Sequence, residues 1–221
     1  MFNRTTLLIL MAALAAGLGL WAAQVVFGPQ RAVATAAPVE GPALDPATMK
    51  TVRLFPQVRA VPDFALQQSD GTALSAKELQ GRWTIVFFGF THCPDVCPTT
   101  LSELAQVQKQ WEGVDPAVRP QVLFVSVDPE RDTPEKTGEY AAYFHPDTLA
   151  ATLPEPALQA FANSLGMVYM KVATEAGDYT MDHSTALVLL DPRGRQAGII
   201  RPPFVPADIA ADLIALSKAT P

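Results

Sequence analysis

The sequence predicts an α/β domain in which helices cover a central mixed sheet. Residues 83–89 and 122–127 are mostly apolar runs, as expected of strands that are covered on both faces. A helix is predicted after each run, the first from apolar residues at helical spacing and the second from a Thr-Pro start, and two strand patterns joined by a turn lie near the C-terminus. Strands that alternate with helices, followed by a hairpin, indicate one α/β unit.

The first 28 residues predict a single-pass membrane anchor. Residues 5–27 are uncharged and dominated by Leu, Ala, Val, Ile and Gly, and as a helix they would be about 34 Å long, enough to span a bilayer. Arg4 precedes them, which favours an N-terminus inside and the remaining chain outside. A cleaved signal peptide is the alternative, because residues 32–37 resemble small-residue cleavage sites. Either interpretation exports the domain.

Residues 29–52 predict an extended tether. The segment is rich in Ala and Pro, so it can bury little apolar surface and its prolines keep the backbone extended. The folded domain is therefore expected at residues 53–221.

The first half of that domain is organised around the strand at residues 83–89. A short strand is predicted at residues 61–66, a turn at 69–71 and a short helical piece at 74–79. After a loop that contains two cysteines, Pro98 suits the first turn of a helix. The apolar residues of that helix recur at helical spacing, at Leu101, Leu104, Val107 and Trp111.

The second half predicts three helices and a terminal hairpin. Thr133 and Pro134 are a typical N-cap and first position of a helix, another helix is expected at residues 156–165, and the last begins at Pro206. Strands are predicted at residues 168–172, 185–190 and 196–201. A loop is predicted at residues 174–184. This order of elements is the thioredoxin-like arrangement.

The charge of the chain excludes one class of partner. The 221 residues include 16 Lys and Arg against 22 Asp and Glu, a net charge of −6. Residues 1–31 contain no acid, so the exported part is more acidic still. Binding to nucleic acid requires a basic surface, which this domain lacks. Metal ions and cationic partners remain compatible with its charge.

The two cysteines of the chain, Cys93 and Cys97, lie in the stretch 90–98, FTHCPDVCP. Four residues apart at a helix start, their Cβ atoms are expected about 5–6 Å apart on one face. A helix N-terminus lowers the pKa of a thiol and favours the thiolate. Two thiolates and one imidazole suit copper, whereas zinc normally takes a fourth ligand. A structural disulfide or two buried thiols are the alternatives.

His183 is the expected imidazole ligand among three histidines. His92 adjoins Cys93, so its ring is expected on the other side of the backbone. His145 follows a helix end and is expected to be solvated or to cap that helix. His183 lies at the predicted start of a strand that faces the cysteine loop in a thioredoxin-like fold. A lone histidine is more often structural, but this position favours a ligand.

Three motifs in order resemble the Sco/SenC family. They lie at residues 88–98, 126–134 and 179–184, the last followed by residues 190–194. The resemblance covers about residues 55–217. It implies a membrane-anchored, thioredoxin-like copper protein with ligands Cys93, Cys97 and His183. Residues 151–156 depart from the family pattern, which leaves the shape of that loop open.

The resemblance implies copper delivery rather than catalysis. The copper, as Cu(I) or Cu(II), would come from an upstream donor and go to the dinuclear copper site of a cytochrome c oxidase subunit. The implied location is a bacterial-type inner membrane, with the domain on the periplasmic side. Whether Asp95 and Asp182 steer partners or orient His183 is left open.

Two redox functions are the alternatives. As a thiol–disulfide oxidoreductase, the protein would cycle Cys93 and Cys97 between a dithiol and a disulfide and keep the oxidase cysteines reduced. However, redox thioredoxins have two residues between their cysteines rather than three, and an X-Pro step where this chain has His183. A peroxiredoxin-like peroxidase would share the strand start near Val61. It would require a proline three residues before Thr91, which this chain lacks.

Overall fold

The computed structural model describes residues 48–175 and 177–219, together with six earlier positions. The chain divides into two compact units, residues 1–40 and 41–221. The described helical positions of the first unit are Arg4, Leu8, Met11, Leu14 and Gly17. Most of the predicted anchor and tether lies outside the described residues. Within the described part of the chain, no helix is both long and apolar enough to cross a bilayer.

The second unit is built from strands and helices that alternate through its middle. The strands are β1 (Val52–Arg59), β2 (Leu66–Gln68), β3 (Ala73–Leu74), β4 (Thr84–Gly89), β5 (Gln121–Ser126), β6 (Leu149–Thr152), β7 (Tyr169–Ala173), β8 (Tyr179–His183), β9 (Leu187–Leu190) and β10 (Gln196–Ile200). The helices are α1 (Val96–Gln110), α2 (Pro134–Phe144), α3 (Ala157–Ser164) and α4 (Pro206–Ala219).

Eight of the described strands form one mixed sheet in the order β1-β10-β9-β4-β5-β6-β2-β3. β4 runs parallel to β5 from the Thr84–Gln121 pair to the Gly89–Ser126 pair, and antiparallel to β9 on its other side. All six residues of β4 are buried. Because parallel strands end at the same edge of a sheet, the loops after β4 and β5 meet there.

The predicted α/β class of the domain is confirmed, including the buried strands, the N-cap at Thr133 and the terminal hairpin β9–β10, whereas the predicted membrane helix is not among the described helices. Thr133 accepts a hydrogen bond from the Lys136 backbone N–H, with Pro134 as the first residue of α2. In the turn of the hairpin, Asp191 accepts from the backbone N–H groups of Arg193 and Arg195. Local signals therefore located these elements.

The start of the domain differs from the expectation. Residues 52–59 form β1, although Pro56 argues against a strand, because β1 is an edge strand where a missing N–H is tolerated. The chain enters the core at Met49, which is 6% exposed, before the predicted boundary at residue 53. The strand predicted at 61–66 starts only at Leu66, and the helical piece at 74–79 is replaced by the end of β3 and turns.

The region around His183 also differs. Within the loop predicted at residues 174–184, Tyr179–His183 form strand β8, which pairs with β7 in a separate two-stranded sheet. Gly177, at φ 80°, lies in the connection between these strands. His183 therefore ends a hairpin strand and does not begin a strand of the central sheet. Most residues of this segment are polar, so it lacks the alternation of apolar and polar residues that predicts a strand. The departure at residues 151–156 begins inside β6.

Candidate metal centre

The cysteine loop connects β4 to α1 at the carboxyl edge of the sheet. Cys93 lies before the helix and is partly exposed, whereas Cys97 lies in its first turn and is fully buried. Pro98 is the third residue of the helix, within the first turn as predicted. Both cysteines are free thiols.

The Cys97 sulfur packs directly against the end of β4. A Cβ atom placed on Gly89 would lie 2.9 Å from Cys97 Sγ and 3.0 Å from Phe124 Cε2. These contacts are closer than real Cβ atoms allow, so glycine is required for this approach. The strand end thereby holds the sulfur in the apolar core.

The structure brings His183 to Cys97. His183 Nε2 lies 3.6 Å from Cys97 Sγ, and His183 Nδ1 lies 3.0 Å from the Ser184 carbonyl oxygen. Assigning the imidazole proton to Nδ1 lets it donate to that carbonyl, which leaves the Nε2 lone pair facing the sulfur. A backbone carbonyl that fixes the tautomer in this way is typical of metal-binding histidines.

Aromatic rings enclose the histidine. The rings of Phe87 and Phe90 meet the imidazole edge to face, with centroids 6.3 and 6.0 Å from that of His183. Burial lowers the pKa of His183, with smaller opposing effects from its hydrogen bond to Ser184 and from the Asp182 charge. The imidazole is therefore held in the neutral form that coordinates metals.

The Cys97 thiol differs from the expectation for a helix N-terminus. Burial raises the pKa of Cys97, because desolvation of the thiolate outweighs the favourable helix end. Without a cation, the pair is a neutral thiol beside a neutral imidazole. A soft cation at this point would displace the thiol proton, so binding would release protons.

Cys93, the third predicted ligand, lies next to Cys97 at the start of the helix. Its sulfur lies 3.4 Å from the Cys97 backbone nitrogen and accepts a hydrogen bond from it. Among the described residues, no three Cys, His, Asp or Glu side chains are already grouped so that they could hold a metal ion. Two of the predicted ligands thus face each other, and the third lies beside them at the helix start.

The other two histidines lie apart from the Cys97–His183 pair. His92 has a half-exposed side chain, with Nδ1 3.0 Å from Thr91 Oγ1 and 3.5 Å from Asp132 Oδ1. His145 is the C-cap of α2, and its Nδ1 accepts a hydrogen bond from the Asp147 N–H. It is only 7% exposed, so the expected capping position is found but the expected solvation is not.

Asp132 is a site residue that the sequence reasoning missed. Its fully buried carboxylate accepts hydrogen bonds from the Thr91 backbone N–H at 2.8 Å and the Thr91 hydroxyl at 2.6 Å. The Ser126 hydroxyl donates to the same carboxylate at 2.5 Å. Asp132 therefore ties the cysteine loop to the end of β5. The available signal was the cluster of acids at residues 128–132, directly after a buried strand.

Comparisons with known proteins identify the family of this chain. The family model described as SCO1/SenC matches residues 55–218. A candidate copper-binding protein of Stutzerimonas stutzeri is 37% identical over 153 residues, 69% of this chain and 74% of that protein. The mitochondrial SCO1 homolog 1 of Arabidopsis thaliana is 43% identical over 132 residues, 58% of this chain. The matched region spans only 38% of the plant protein.

A solved structure supports the fold and the metal. The crystal structure of Arabidopsis thaliana ScoI with copper bound matches with a TM-score of 0.66 and 33% identity, covering 72% of this chain and 99% of that one. Copper, the predicted cofactor, is the metal that this relative holds. The sheet is thioredoxin-like, and the histidine hairpin meets the cysteine loop. With a family match that covers most of the domain, these features show that the chain belongs to the SCO1/SenC family.

Proposed function

We propose that this protein is a copper chaperone that binds copper through Cys93, Cys97 and His183. The observation that carries the proposal is the 3.6 Å approach of His183 Nε2 to Cys97 Sγ, with Nδ1 committed to the Ser184 carbonyl. Two thiolates and a neutral imidazole form a soft three-coordinate site that suits Cu(I). Membership of a family with a copper-bound relative supports the choice of metal.

The recipient in this proposal is the dinuclear copper site of a cytochrome c oxidase subunit. Delivery proceeds by ligand exchange, in which a cysteine thiolate of the recipient binds copper as a chaperone thiolate leaves. The oxidation state of copper is unchanged, and the released chaperone thiolate takes up the proton that the recipient thiol lost. Cys93 is the partly exposed thiol and is therefore the first point of access.

The proposed location is the outer side of a bacterial-type inner membrane. The uncharged stretch at residues 5–27 would anchor the chain, and the Pro-rich residues 29–52 would hold the domain near the bilayer. An upstream donor would load the copper there.

Copper titration of the reduced full-length protein in detergent tests the ligand set. A competing Cu(I) chelator should report about one tightly bound Cu(I), lost in Cys93→Ala and Cys97→Ala and weakened in His183→Ala. His92→Ala is the comparison variant, because His92 lies next to Cys93 but is not among the proposed ligands, and it should weaken Cu(I) binding less than His183→Ala does. Wild-type affinity in His183→Ala would remove that residue from the site.

Thiol–disulfide exchange is the second candidate function. It is favoured by the proximity of the two free thiols, since the Cys93 sulfur contacts the backbone of Cys97. Oxidase activity in a strain that lacks the protein separates the two functions. Recovery on added copper supports delivery, whereas recovery only on added thiol reductant supports the redox function.

A further inference from the structure

The β7–β8 hairpin presents one face of β8 to the domain. Tyr179, Met181 and His183 share this face, because alternate residues of a strand point to the same side. Met181 is buried in the core, whereas Asp182 is exposed. A shift of one residue in the register of β8 would turn His183 away from Cys97. Contacts that fix the hairpin on the domain therefore also fix this ligand.

Tyr179 fastens the start of β8 to the turn after β5. Its hydroxyl donates to Asp128 Oδ1 at 2.8 Å, and its carbonyl accepts from Arg131 Nη1 at 3.1 Å. The Arg131 guanidinium lies 3.7 Å from the centre of the Tyr179 ring, and Arg131 Nε donates to Asp128 Oδ2 at 2.5 Å. Asp128 is only 2% exposed, so these charge-assisted contacts are shielded from water.

Two exposed contacts reinforce the same attachment. Lys171 Nζ, on β7, lies 2.6 Å from Glu130 Oε2 and 3.8 Å from the centre of the Tyr179 ring. The Tyr169 hydroxyl donates to Glu155. Because exposed ion pairs contribute little, the contacts that Arg131 and Tyr179 make with the buried Asp128 carboxylate carry most of the attachment.

The same turn also holds the cysteine loop. The Asp128 carbonyl accepts hydrogen bonds from the N–H groups of Arg131 at 3.1 Å and Asp132 at 2.9 Å, which closes residues 128–132 into one compact turn. At the end of this turn, Asp132 binds the backbone and hydroxyl of Thr91. One turn of the chain is therefore bonded to both elements that carry the proposed ligands.

We propose that residues 128–132 are a positioning element that sets the approach of His183 to Cys97. Asp128 and Arg131 hold the histidine hairpin through Tyr179, and Asp132 holds the cysteine loop through Thr91. None of these side chains is among the proposed copper ligands, so they act through the ligands that they position. This inference rests on the proposed copper site and deepens it.

Tyr179→Phe in the full-length protein tests the hairpin contact. The substitution removes the hydroxyl that binds Asp128 and keeps the ring beside Arg131. Cu(I) affinity should fall by about tenfold, the lower end of what loss of an outer contact costs a metal site. The Cu(II) form should change its thiolate charge-transfer band and its electron paramagnetic resonance spectrum. Tyr143→Phe is the matched control, because Tyr143 is 84% exposed, and it should leave both readouts unchanged.

A double-mutant cycle separates positioning from general destabilisation. In a His183→Ala background the hairpin carries no ligand, so adding Tyr179→Phe should cause no further loss of Cu(I) affinity. An equal loss in both backgrounds would show that the hydroxyl supports only the fold. Wild-type affinity and spectra in Tyr179→Phe would likewise overturn the proposal.

Hydrogen exchange in the copper-free protein keeps this test separate from that of the proposed function. If the wild-type protein bound no copper, the proposed function would fail, but the attachment of the hairpin could still be measured. The amides of β8 should exchange several-fold faster in Tyr179→Phe than in Tyr143→Phe. Equal exchange in the two variants would disprove the attachment whatever the outcome for copper.

Discussion

The candidate site has a cysteine side, which is the loop and helix start that carry Cys97, and a histidine side, which is the β7–β8 hairpin. The two sides are built in different ways. Cys97 is fully buried beside Gly89 and Phe124, next to strands that are hydrogen-bonded on both flanks. His183 belongs to a two-stranded hairpin that is separate from the central sheet among the described strands. Apolar residues of β7 are exposed, with Met170 at 61% and Val172 at 39%.

This difference bears on the proposed copper delivery, which requires the protein to release its metal. Segments with few buried apolar contacts open at a lower free-energy cost than core strands do. The cysteine side therefore supplies a fixed sulfur, while the histidine side is held mainly by polar contacts that can break. A site built from one fixed and one detachable part can bind copper and still let it go.

A side chain added at Gly89, on the cysteine side, should have the largest effect on the stability of the protein. In Gly89→Ala, the new methyl group would contact Cys97 Sγ and Phe124, so we expect a loss of about 2–3 kcal/mol in the free energy of unfolding. For a domain of this size, the melting temperature should fall by about 5–10 °C. Thermal and urea unfolding of the copper-free protein measure both.

Gly113→Ala is the matched control for that substitution. A Cβ atom at Gly113 would meet no atom within 4 Å, so its unfolding free energy should stay within about 0.5 kcal/mol of wild type. If the two alanine variants were equally stable, the close packing of the Cys97 sulfur against β4 would be contradicted.

Weakening the hydrogen bonds by which Asp132 holds the cysteine loop should have an intermediate effect on stability. The Asp132 carboxylate accepts three hydrogen bonds. In Asp132→Asn, the side-chain amide would have to point its NH₂ group at one of these three donors. We expect a loss of about 1–2 kcal/mol in stability and faster alkylation of Cys93, because the cysteine loop is no longer held.

Asp147→Asn is the control for this prediction, since Asp147 is exposed. Stability comes from the urea midpoint, and the alkylation rate from mass spectrometry of the native protein. Slow, wild-type alkylation of Cys93 in Asp132→Asn would show that the loop is held without this carboxylate.

The two sides also differ in how well the sequence predicts them. The cysteine side follows from local signals, namely a buried apolar run, a proline in a helix first turn and a Thr-Pro helix start. The histidine side does not, because β8 consists largely of polar residues whose pairing with β7 is visible only in three dimensions. The chain position of His183 and the fold class nevertheless predicted that it would meet the cysteine loop.

Contacts between distant segments were beyond sequence reasoning. Asp132 and Thr91 are 41 residues apart, and Asp128 and Tyr179 are 51 apart. No local period relates such positions, so the role of the turn at residues 128–132 emerged only from the structure. Burial of Cys97 was not predicted for a similar reason, since the neighbours of its sulfur include Phe124 on β5, a distant part of the chain, and this burial raises the pKa of Cys97.

The smallest expected effect is a pH dependence that the two proposed ligands, His183 and Cys97, impose on the stability of the copper-free protein. Burial lowers the pKa of His183 in the folded state, so the unfolded chain binds more protons as pH falls through about 6.5, and stability is lost there. Burial raises the pKa of Cys97, so the unfolded chain releases its proton first, and stability is lost as pH rises above about 8.5. Urea midpoints measured across this range should depend less on pH on the acid side in His183→Gln than in the wild-type protein. If His183→Gln kept the wild-type dependence of stability on acid pH, the imidazole would not be desolvated in the folded protein. The contrast between the buried cysteine side and the detachable hairpin would then rest on packing alone.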